Sequence, residues 1–465
     1  MAREGLHLHP ETVLVRIDQV VQIRSVRRSP LLLTSVLRPE GPVTPCTCDT
    51  KPSRHAILKA VRSDRRPRTL CLGVSVSSMP GLPALSWSSY ALAGFAVIIA
   101  WKLQQFVRAD ADLWLLSRRR PPLQAFAGQV VWIIGASQGL GEELAKWFAA
   151  HNAHLILSSR RLDQLQRVET LCRNGRVDGQ QQTACLPFDL MAPTKDIEAA
   201  VERAHDIASS WNPALPGISH LVLNAGAGQA GAVEDTPHQV PEQLLGLNSV
   251  APIRLTQALL PFWLPHQDSL QDQSGGTSRS QHQGPTAEPS ASPSKSLPPR
   301  SRQQHKRRIT VVSSMAAKVP SPGQALYAAS KATLHGYYHS LASELANRGV
   351  GVTLCCPGPI AATHEGQMRA VWGAQGLTSK PAQLGSGSRL YPSRVASLIG
   401  TATYHGLQEV WISKHPILLL GYIFQLLPAL GQWIMTIVGP KRVAQYKGGG
   451  GGYDLGSMLK RTSEP

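Results

Sequence analysis

The stretch Val130–Gly141, VVWIIGASQGLG, runs directly into the helical pattern EELAKWFAA and decides the fold class. A short apolar run, then glycines, then an amphipathic helix predicts a buried strand followed by a tight turn and a helix. At such a turn the glycines let the backbone close beneath a pyrophosphate, and the helix N-terminus offers free N–H groups. The predicted cofactor-binding residues of this turn are Gly135, Ser137, Gln138, Gly139, Leu140 and Gly141.

Short apolar runs alternate with helical patterns from about residue 125 to about residue 415. Near-continuous apolar strands separated by helices are typical of a parallel sheet covered on both faces. We therefore expect an α/β fold, a doubly wound Rossmann-type parallel sheet of about seven strands. The predicted strands are 130–134, 154–158, 183–187, 219–223, 309–313, 351–355 and 409–412, with helices beginning near Gly139, Arg161, Thr194, Asn248, Ala325 and Ser393.

Residues 267–308 interrupt this alternation with Ser, Gln, Pro and Gly and almost no apolar residues. Such a composition cannot bury enough surface to order itself, so the segment is expected to be a low-complexity surface insert. A basic docking segment is the less favoured alternative.

The end of the second predicted strand bears on the choice of cofactor. A carboxylate at this position would hold the ribose 2′-hydroxyl of NAD, but the sequence places Arg160 and Arg161 there. Two guanidinium groups suit a 2′-phosphate. The sequence therefore predicts NADP(H). The alternative is that the two arginines only begin a helix at the solvent-exposed surface.

Further along the chain, Ser314 ends a predicted strand and Tyr327 and Lys331 follow at the start of a helix. A tyrosine and a lysine four residues apart share one helix face. A phenol with a pKa near 10 is a poor acid at neutral pH, and a nearby ammonium lowers that pKa. Ser314 can donate a hydrogen bond to a carbonyl oxygen as charge develops on it.

Together these motifs resemble the short-chain dehydrogenase/reductase family. The Asn224-Ala-Gly226 motif matches it too, as do Asn248 and Pro357-Gly-Pro-Ile360. Residues 108–113, 409–413 and 441–442 further resemble the membrane-associated dehydrogenase/reductase SDR family member 7 group. The similarity covers about residues 84–455 outside the insert.

The resemblance implies a role for each matched residue. Tyr327 is the general acid/base, Lys331 lowers the phenol pKa and holds the nicotinamide ribose, and Ser314 orients the carbonyl. Asn248 fixes a helix and a water of the proton relay. The remaining implied cofactor contacts are Arg160, Asp189, Asn224, Pro357, Gly358 and Ile360.

Three departures from the family pattern concern the cofactor loops. Ile134 replaces a usual threonine, Leu223 replaces a usual asparagine, and Ala362 stands where Thr or Ser is expected, beside Thr363. These three departures are expected to change the affinity for the cofactor more than the chemistry of the reaction.

The composition argues against a nucleic-acid-binding protein, a disulfide-built fold and a metal site. The net charge is +18, but residues 1–80 carry a surplus of seven positive charges and residues 267–308 a surplus of four, so no nucleic-acid partner is expected. Seven cysteines without framework spacing exclude a disulfide-built fold. His335 and His339 lie four residues apart, but no third ligand follows nearby, so packing or a homodimer contact is favoured over a metal.

The N-terminal part divides into two segments. Residues 1–80 are Arg-, Pro- and Ser-rich, and an organelle-targeting segment and a mis-annotated extension preceding a start at Met79 are equally favoured, ahead of a disordered arm. Residues 82–102 are apolar and precede a basic run, which predicts a retained transmembrane anchor. We expect a membrane protein of the endoplasmic reticulum.

The C-terminal segment, 416–465, contains 22 residues without a charge, Ile417–Val438, and ends in a flexible tail. A second membrane span, an interfacial hairpin and a lid packed on the domain all remain open for the apolar part.

The sequence thus predicts a membrane-anchored NADP(H)-dependent oxidoreductase that transfers hydride to or from a lipophilic carbonyl or alcohol, such as a steroid or retinoid. The alternatives are a lipid-synthetic ketoreductase of sphingoid or fatty-acyl type and a non-catalytic nucleotide-binding membrane scaffold.

Overall fold

The computed structural model describes residues 87–174, 181–212, 216–264, 307–363, 367–381 and 389–447. All of these residues belong to one compact unit, 83–465. The predictions for residues 1–80, for almost all of the insert and for the final tail lie outside the described residues.

The centre of this unit is a parallel sheet of seven strands. Its strands are β1 (Val130–Ile134), β2 (His154–Ser158), β3 (Thr183–Cys185), β4 (His220–Leu223), β6 (Arg307–Val312), β7 (Val350–Pro357) and β10 (Glu409–Ile412). Their order in the sheet is β10-β7-β6-β4-β1-β2-β3, which confirms the predicted doubly wound α/β architecture.

Helices cover both faces of the sheet because its strands are apolar on both sides. Val131 and Ile133 of β1 pack into one core, and Val130, Trp132 and Ile134 pack into the opposite one. The helices are α1 (Trp87–Val107), α2 (Leu113–Leu116), α3 (Gly139–Ala150), α4 (Leu162–Asn174), α5 (Thr194–Trp211), α6 (Val240–Leu245), α7 (Ala251–Trp263), α8 (Ala325–Glu344), α9 (Pro392–His405), α10 (Ile417–Leu426) and α11 (Pro428–Lys447).

Most predicted boundaries agree with the structure within two residues, and one helix start does not. Asn248 is not at the start of a helix. It lies in a π-helical turn, Gly246–Val250, that joins α6 to α7. Helical periodicity cannot show such a turn, because the flanking residues remain helical.

A second sheet was not predicted. It contains β5 (Gly228–Gln229), β8 (Met368–Gly373) and β9 (Gly376–Pro381), in the order β5-β8-β9. Its strands are short and come from distant parts of the chain, so no local alternation reveals them.

The apolar C-terminal segment forms α10 and α11, which separate at Pro428 because proline ends a helix readily. Ile417 and Leu420 of α10 pack against Met315, Val319 and Cys356 of the main domain. This packing is the one expected of a lid, and the exposed Leu426 and Trp433 of the same segment are also compatible with the interfacial hairpin.

The first helix, α1, overlaps the predicted anchor over residues 87–102 and continues to Val107. Its Phe106 contacts the rings of His415 and Tyr422, so its C-terminal end is packed beside α10. In the described part of the chain, no helix combines the length and the apolar character needed to cross a membrane.

Candidate active site

One large cavity opens at the carboxyl ends of the parallel strands, where the strand order reverses between β1 and β4. Its volume is about 910 Å³. In doubly wound folds this edge is where ligands bind. Fourteen of the sixteen residues predicted for the site line it: Gly135, Ser137, Gln138, Gly139, Leu140, Arg160, Asp189, Asn224, Ser314, Tyr327, Lys331, Pro357, Gly358 and Ile360. The other two, Gly141 and Asn248, do not line this cavity.

The glycine turn has a conformation that only glycine permits without strain. Gly135 has a φ of 84°, and its N–H donates to the Ser158 carbonyl at 2.7 Å. A side chain at Gly141 would collide with the Gly135 carbonyl oxygen, and Asn224 Nδ2 donates to that same oxygen at 3.0 Å. Gly141 therefore acts behind the cavity, by allowing α3 to pack closely beneath the turn.

An ion pair between a buried carboxylate and a partly exposed arginine, which the sequence did not predict, holds the turn against α4. Glu142 is 3% exposed, and its Oε2 accepts from Arg167 Nη2 at 2.6 Å. The same guanidinium also donates to the Ser137 carbonyl at 3.3 Å. The two residues are 25 positions apart, so no local motif pairs them.

The residues at the adenosine end fit the proposed cofactor. Arg160 and Arg161 are exposed at the cavity wall, and the exposed Asp189 lies on the same wall. Exposed guanidinium groups can swing onto a 2′-phosphate and form charge-assisted hydrogen bonds.

A second observation supports a dinucleotide in this cavity. Thr363 is directly next to the position where the family has Thr or Ser, and its buried Oγ1 has no hydrogen-bond partner within the described residues. Its N–H donates to Gln367 Oε1 at 2.6 Å, and Gln367 lines the cavity close to Gly139. A buried hydroxyl that lacks a partner among the described residues, close to the glycine turn, is the kind of group that a phosphate oxygen can satisfy.

Lys331 is the buried cation of the site. It is 5% exposed, and its Nζ donates to the Val312 carbonyl at 3.0 Å. Burial lowers the pKa of its ammonium to about 8. A side chain added at Gly226 would lie 3.0 Å from Asn248 Oδ1 and 3.5 Å from Lys331 Nζ, so glycine here lets both groups approach.

Ser314 and Tyr327 face the same cavity from two elements. Ser314 follows β6, where its Oγ donates to the Pro357 carbonyl at 3.4 Å and accepts from Ala316 N–H at 3.1 Å. Tyr327 is half-buried in the first turn of α8, and its N–H donates to Gln229 Oε1 at 3.1 Å. Gln229 belongs to the unpredicted small sheet, so sequence reasoning missed this positioning contact.

Asn248 connects the π-helical turn to the strand-end motif and to the catalytic helix. Its Oδ1 accepts from Ala227 N–H and its Nδ2 donates to the Ala227 carbonyl, both at 2.9 Å. Nδ2 also donates to Ser330 Oγ at 3.0 Å. Ser330 immediately precedes Lys331, so this amide fixes α8 at the site.

The far end of the cavity is formed by residues to which the sequence assigned no role in the site. Apolar side chains of α10, of α11 and of the loop after β6 line this end. The buried Arg442 of α11 donates to Gln324 Oε1 at 3.1 Å. The apolar lining residues of this end include Met315, Val319, Ile417, Leu420, Met435 and Val438.

The short chain dehydrogenase family model matches residues 129–276 and 292–371 of the chain. The gap in this match falls inside the predicted insert.

Individual relatives agree with the family match. The chain is 30% identical to human dehydrogenase/reductase SDR family member 7 over 364 residues, which is 76% of this chain and 91% of the relative. It is also 30% identical to the mouse protein of that name, over 74% of this chain and 89% of the relative. A solved short-chain dehydrogenase from Sphingobium yanoikuyae in complex with NADPH is 20% identical, with a TM-score of 0.45, over 66% of this chain and 95% of that one.

The family model covers the glycine turn and both catalytic motifs, and the human relative is matched over nearly all of its length. The chain therefore belongs to the short-chain dehydrogenase family of oxidoreductases and is similar to the dehydrogenase/reductase SDR family member 7 proteins.

Proposed function

We propose that this protein is an NADP(H)-dependent oxidoreductase that acts on a lipophilic carbonyl or alcohol at a membrane. The observation that carries the proposal is that Ser314, Tyr327 and Lys331 line the same cavity as the glycine turn and Arg160. A nicotinamide cofactor supplies the hydride in such a site. The protein's own residues then have to position the substrate oxygen and move its proton.

In reduction, the Tyr327 hydroxyl donates its proton to the carbonyl oxygen as negative charge develops there. Ser314 donates a hydrogen bond to the same oxygen and stabilises that charge. The Lys331 ammonium favours the phenolate that remains on Tyr327, because an opposite charge nearby stabilises the ionised form. Oxidation of an alcohol uses the same residues in reverse.

The proposal of a lipophilic substrate rests on the far end of the cavity. The side chains of Ile417, Leu420, Met435 and Val438 present an apolar wall from the lid. An apolar compound gains roughly 25 cal/mol per Å² of surface that it buries against such a wall. A steroid, a retinoid or another hydrophobic ketone or aldehyde meets this requirement.

The proposal of membrane attachment rests on α1. Large apolar side chains are at least half exposed around this helix, and a helix apolar on all sides is typical of burial in protein or lipid. These residues are Leu92, Phe95, Val97, Ile98, Ile99, Trp101, Leu103 and Val107. We expect deletion of residues 82–102 to release the protein from the endoplasmic reticulum membrane fraction.

The experiment that tests the activity is NADPH consumption by the detergent-solubilised full chain with a panel of hydrophobic ketones and aldehydes, and a parallel series with NADH. We expect turnover that depends on NADPH and disappears in Tyr327→Phe. The matched control is Tyr391→Phe, which removes the hydroxyl of a tyrosine that is 63% exposed.

Each other outcome has a definite meaning. Turnover that survives Tyr327→Phe would contradict the assigned acid/base. Equal turnover with NADH would contradict the role given to Arg160. NADPH binding without turnover on any compound of the panel would favour the nucleotide-binding scaffold.

A further inference from the structure

A cluster of three potential metal ligands lies on the side of α8 next to the sheet edge. His335 and His339 are on consecutive turns of α8, and Glu409 begins the edge strand β10. Glu409 Oε2 lies 3.4 Å from His335 Nδ1 and 2.7 Å from His339 Nε2. The three ligand atoms all lie within 4.8 Å of one another. The sequence showed no third ligand because Glu409 is 70 residues beyond His339.

Neighbouring donors orient the carboxylate toward the two imidazoles. Glu409 Oε1 accepts from Lys318 Nζ at 2.9 Å and from Trp411 Nε1 at 2.6 Å. These bonds occupy one oxygen and leave Oε2 directed at the histidines. Carboxylates that bind metals are commonly held in this way by hydrogen bonds to the oxygen that does not coordinate.

The hydrogen bonds of His335 define which ring nitrogen is free to bind a cation. Ser313 Oγ lies 3.2 Å from the Lys331 carbonyl oxygen and 2.9 Å from His335 Nε2. If the hydroxyl donates to the carbonyl, it accepts from His335 Nε2–H, and Nδ1 then carries a lone pair. His335 is only 9% exposed, and its Nδ1 has no hydrogen-bond partner in the described structure.

This arrangement leaves a lone pair and a carboxylate oxygen facing each other in a largely buried position. In that tautomer, the two acceptors at 3.4 Å repel each other unless a cation lies between them, either a proton on Nδ1 or a metal ion. His339 extends the pair to three ligands, and its side chain is 44% exposed, so an ion has a route from solvent and a position for water.

We propose that His335, His339 and Glu409 form a binding site for a divalent transition metal of the zinc class. Two imidazole nitrogens and one carboxylate oxygen are a common protein ligand set for zinc, with about 2.0–2.2 Å between the metal and each ligand. The ion would join α8, which carries Tyr327 and Lys331, to β10. This proposal does not depend on the proposed substrate or cofactor.

The site is next to the catalytic residues but separate from them. His335 follows Lys331 by one helical turn, and Ser313, which holds the His335 ring, immediately precedes Ser314. A bound ion would therefore restrain the segments on which catalysis depends without occupying the cavity.

The test is a zinc titration of the chelator-treated full chain against a chromophoric zinc indicator, without cofactor. We expect His339→Gln and Glu409→Gln each to weaken zinc binding by at least about tenfold. His238→Gln, which changes an exposed histidine elsewhere, should bind zinc like the unsubstituted protein.

Thermal unfolding supplies a second measurement. Zinc should raise the Tm of the unsubstituted protein and of His238→Gln, and should raise it less in His339→Gln, because an ion that binds only the folded state stabilises it. If the unsubstituted protein does not bind zinc, or if His339→Gln binds it equally well, the proposal is wrong. Because the His339 side chain is 44% exposed, we expect His339→Gln to fold normally, so that a loss of zinc binding reports on the site.

Discussion

Replacing Asn248 by alanine should lower both the stability and the turnover of the enzyme, because one amide serves two buried groups and the catalytic helix. Asn248 is 1% exposed and makes three side-chain hydrogen bonds of 2.9–3.0 Å. The substitution leaves the N–H and the carbonyl of Ala227 without these partners, and Ala227 is 5% exposed.

The magnitude follows from these contacts. A buried polar group that loses its partner costs about 1–3 kcal/mol, so two such groups cost about 2–6 kcal/mol. Ser330 Oγ loses the contact with Asn248 but keeps its bond to the Tyr327 carbonyl. The Lys331 region is then less firmly positioned, and we expect turnover to fall at least about tenfold.

Ser249→Ala is the matched control. Ser249 lies in the same π-helical turn, is fully buried, and donates to the Ser330 carbonyl at 2.7 Å. Its loss should cost about 1 kcal/mol and lower turnover less than Asn248→Ala does, since only one contact to Ser330 is lost and both backbone groups of Ala227 keep their partners.

The assay is urea unfolding of each variant together with NADPH turnover under folded conditions. If Asn248→Ala lost less than about 1 kcal/mol, the role assigned to its three hydrogen bonds would be wrong. If Ser249→Ala lost turnover equally, the effect would belong to the turn as a whole and not to the amide.

Three further predictions concern the cofactor site and the core. Arg160→Asp should lower the preference for NADPH over NADH by at least about tenfold, measured as the ratio of kcat/KM values, because a charged hydrogen bond to phosphate is replaced by repulsion. Gly141→Ala should weaken NADPH binding and destabilise the fold by about 1–3 kcal/mol, since its methyl group meets the Gly135 carbonyl. Gly336→Ala, where nothing lies within 4 Å of the added carbon, should be neutral or slightly stabilising in the same unfolding and binding measurements. Burial lowers the pKa of His220 from 6.5 to about 3, so the protein should lose stability as the pH falls from about 6.5 toward 3, by up to about 1.4 kcal/mol per pH unit. A His220→Gln variant should show a smaller loss over that range, and an unchanged slope of unfolding free energy against pH would contradict this assignment.

Local sequence patterns, together with the resemblance to a known family, were sufficient to predict the main sheet and most residues that line the cavity. The strand Val130–Ile134, the glycine turn after it and the spacing from Ser314 to Lys331 all concern residues close in sequence. The order of strands then follows from the handedness and packing of parallel crossovers. Thus fourteen predicted residues meet in one cavity.

Contacts between distant segments could not be predicted in this way. Gln229 positions Tyr327 from 98 residues away, and Arg442 reaches Gln324 from 118 residues away. A lid was one of three alternatives that hydropathy alone left open for the Ile417–Val438 segment, because an apolar helix suits a membrane and a protein core alike. Only the tertiary structure shows that Ile417 packs on the domain.

The His335 and His339 pair shows the same division most clearly. Their spacing of four residues establishes that they share a helix face, which is a local property of the sequence. The proposed metal site also needs Glu409, whose position is set by the pairing of β10 with β7 at the sheet edge. The sequence therefore determined the elements and the catalytic motif, while the packing of those elements decided which polar groups face one another.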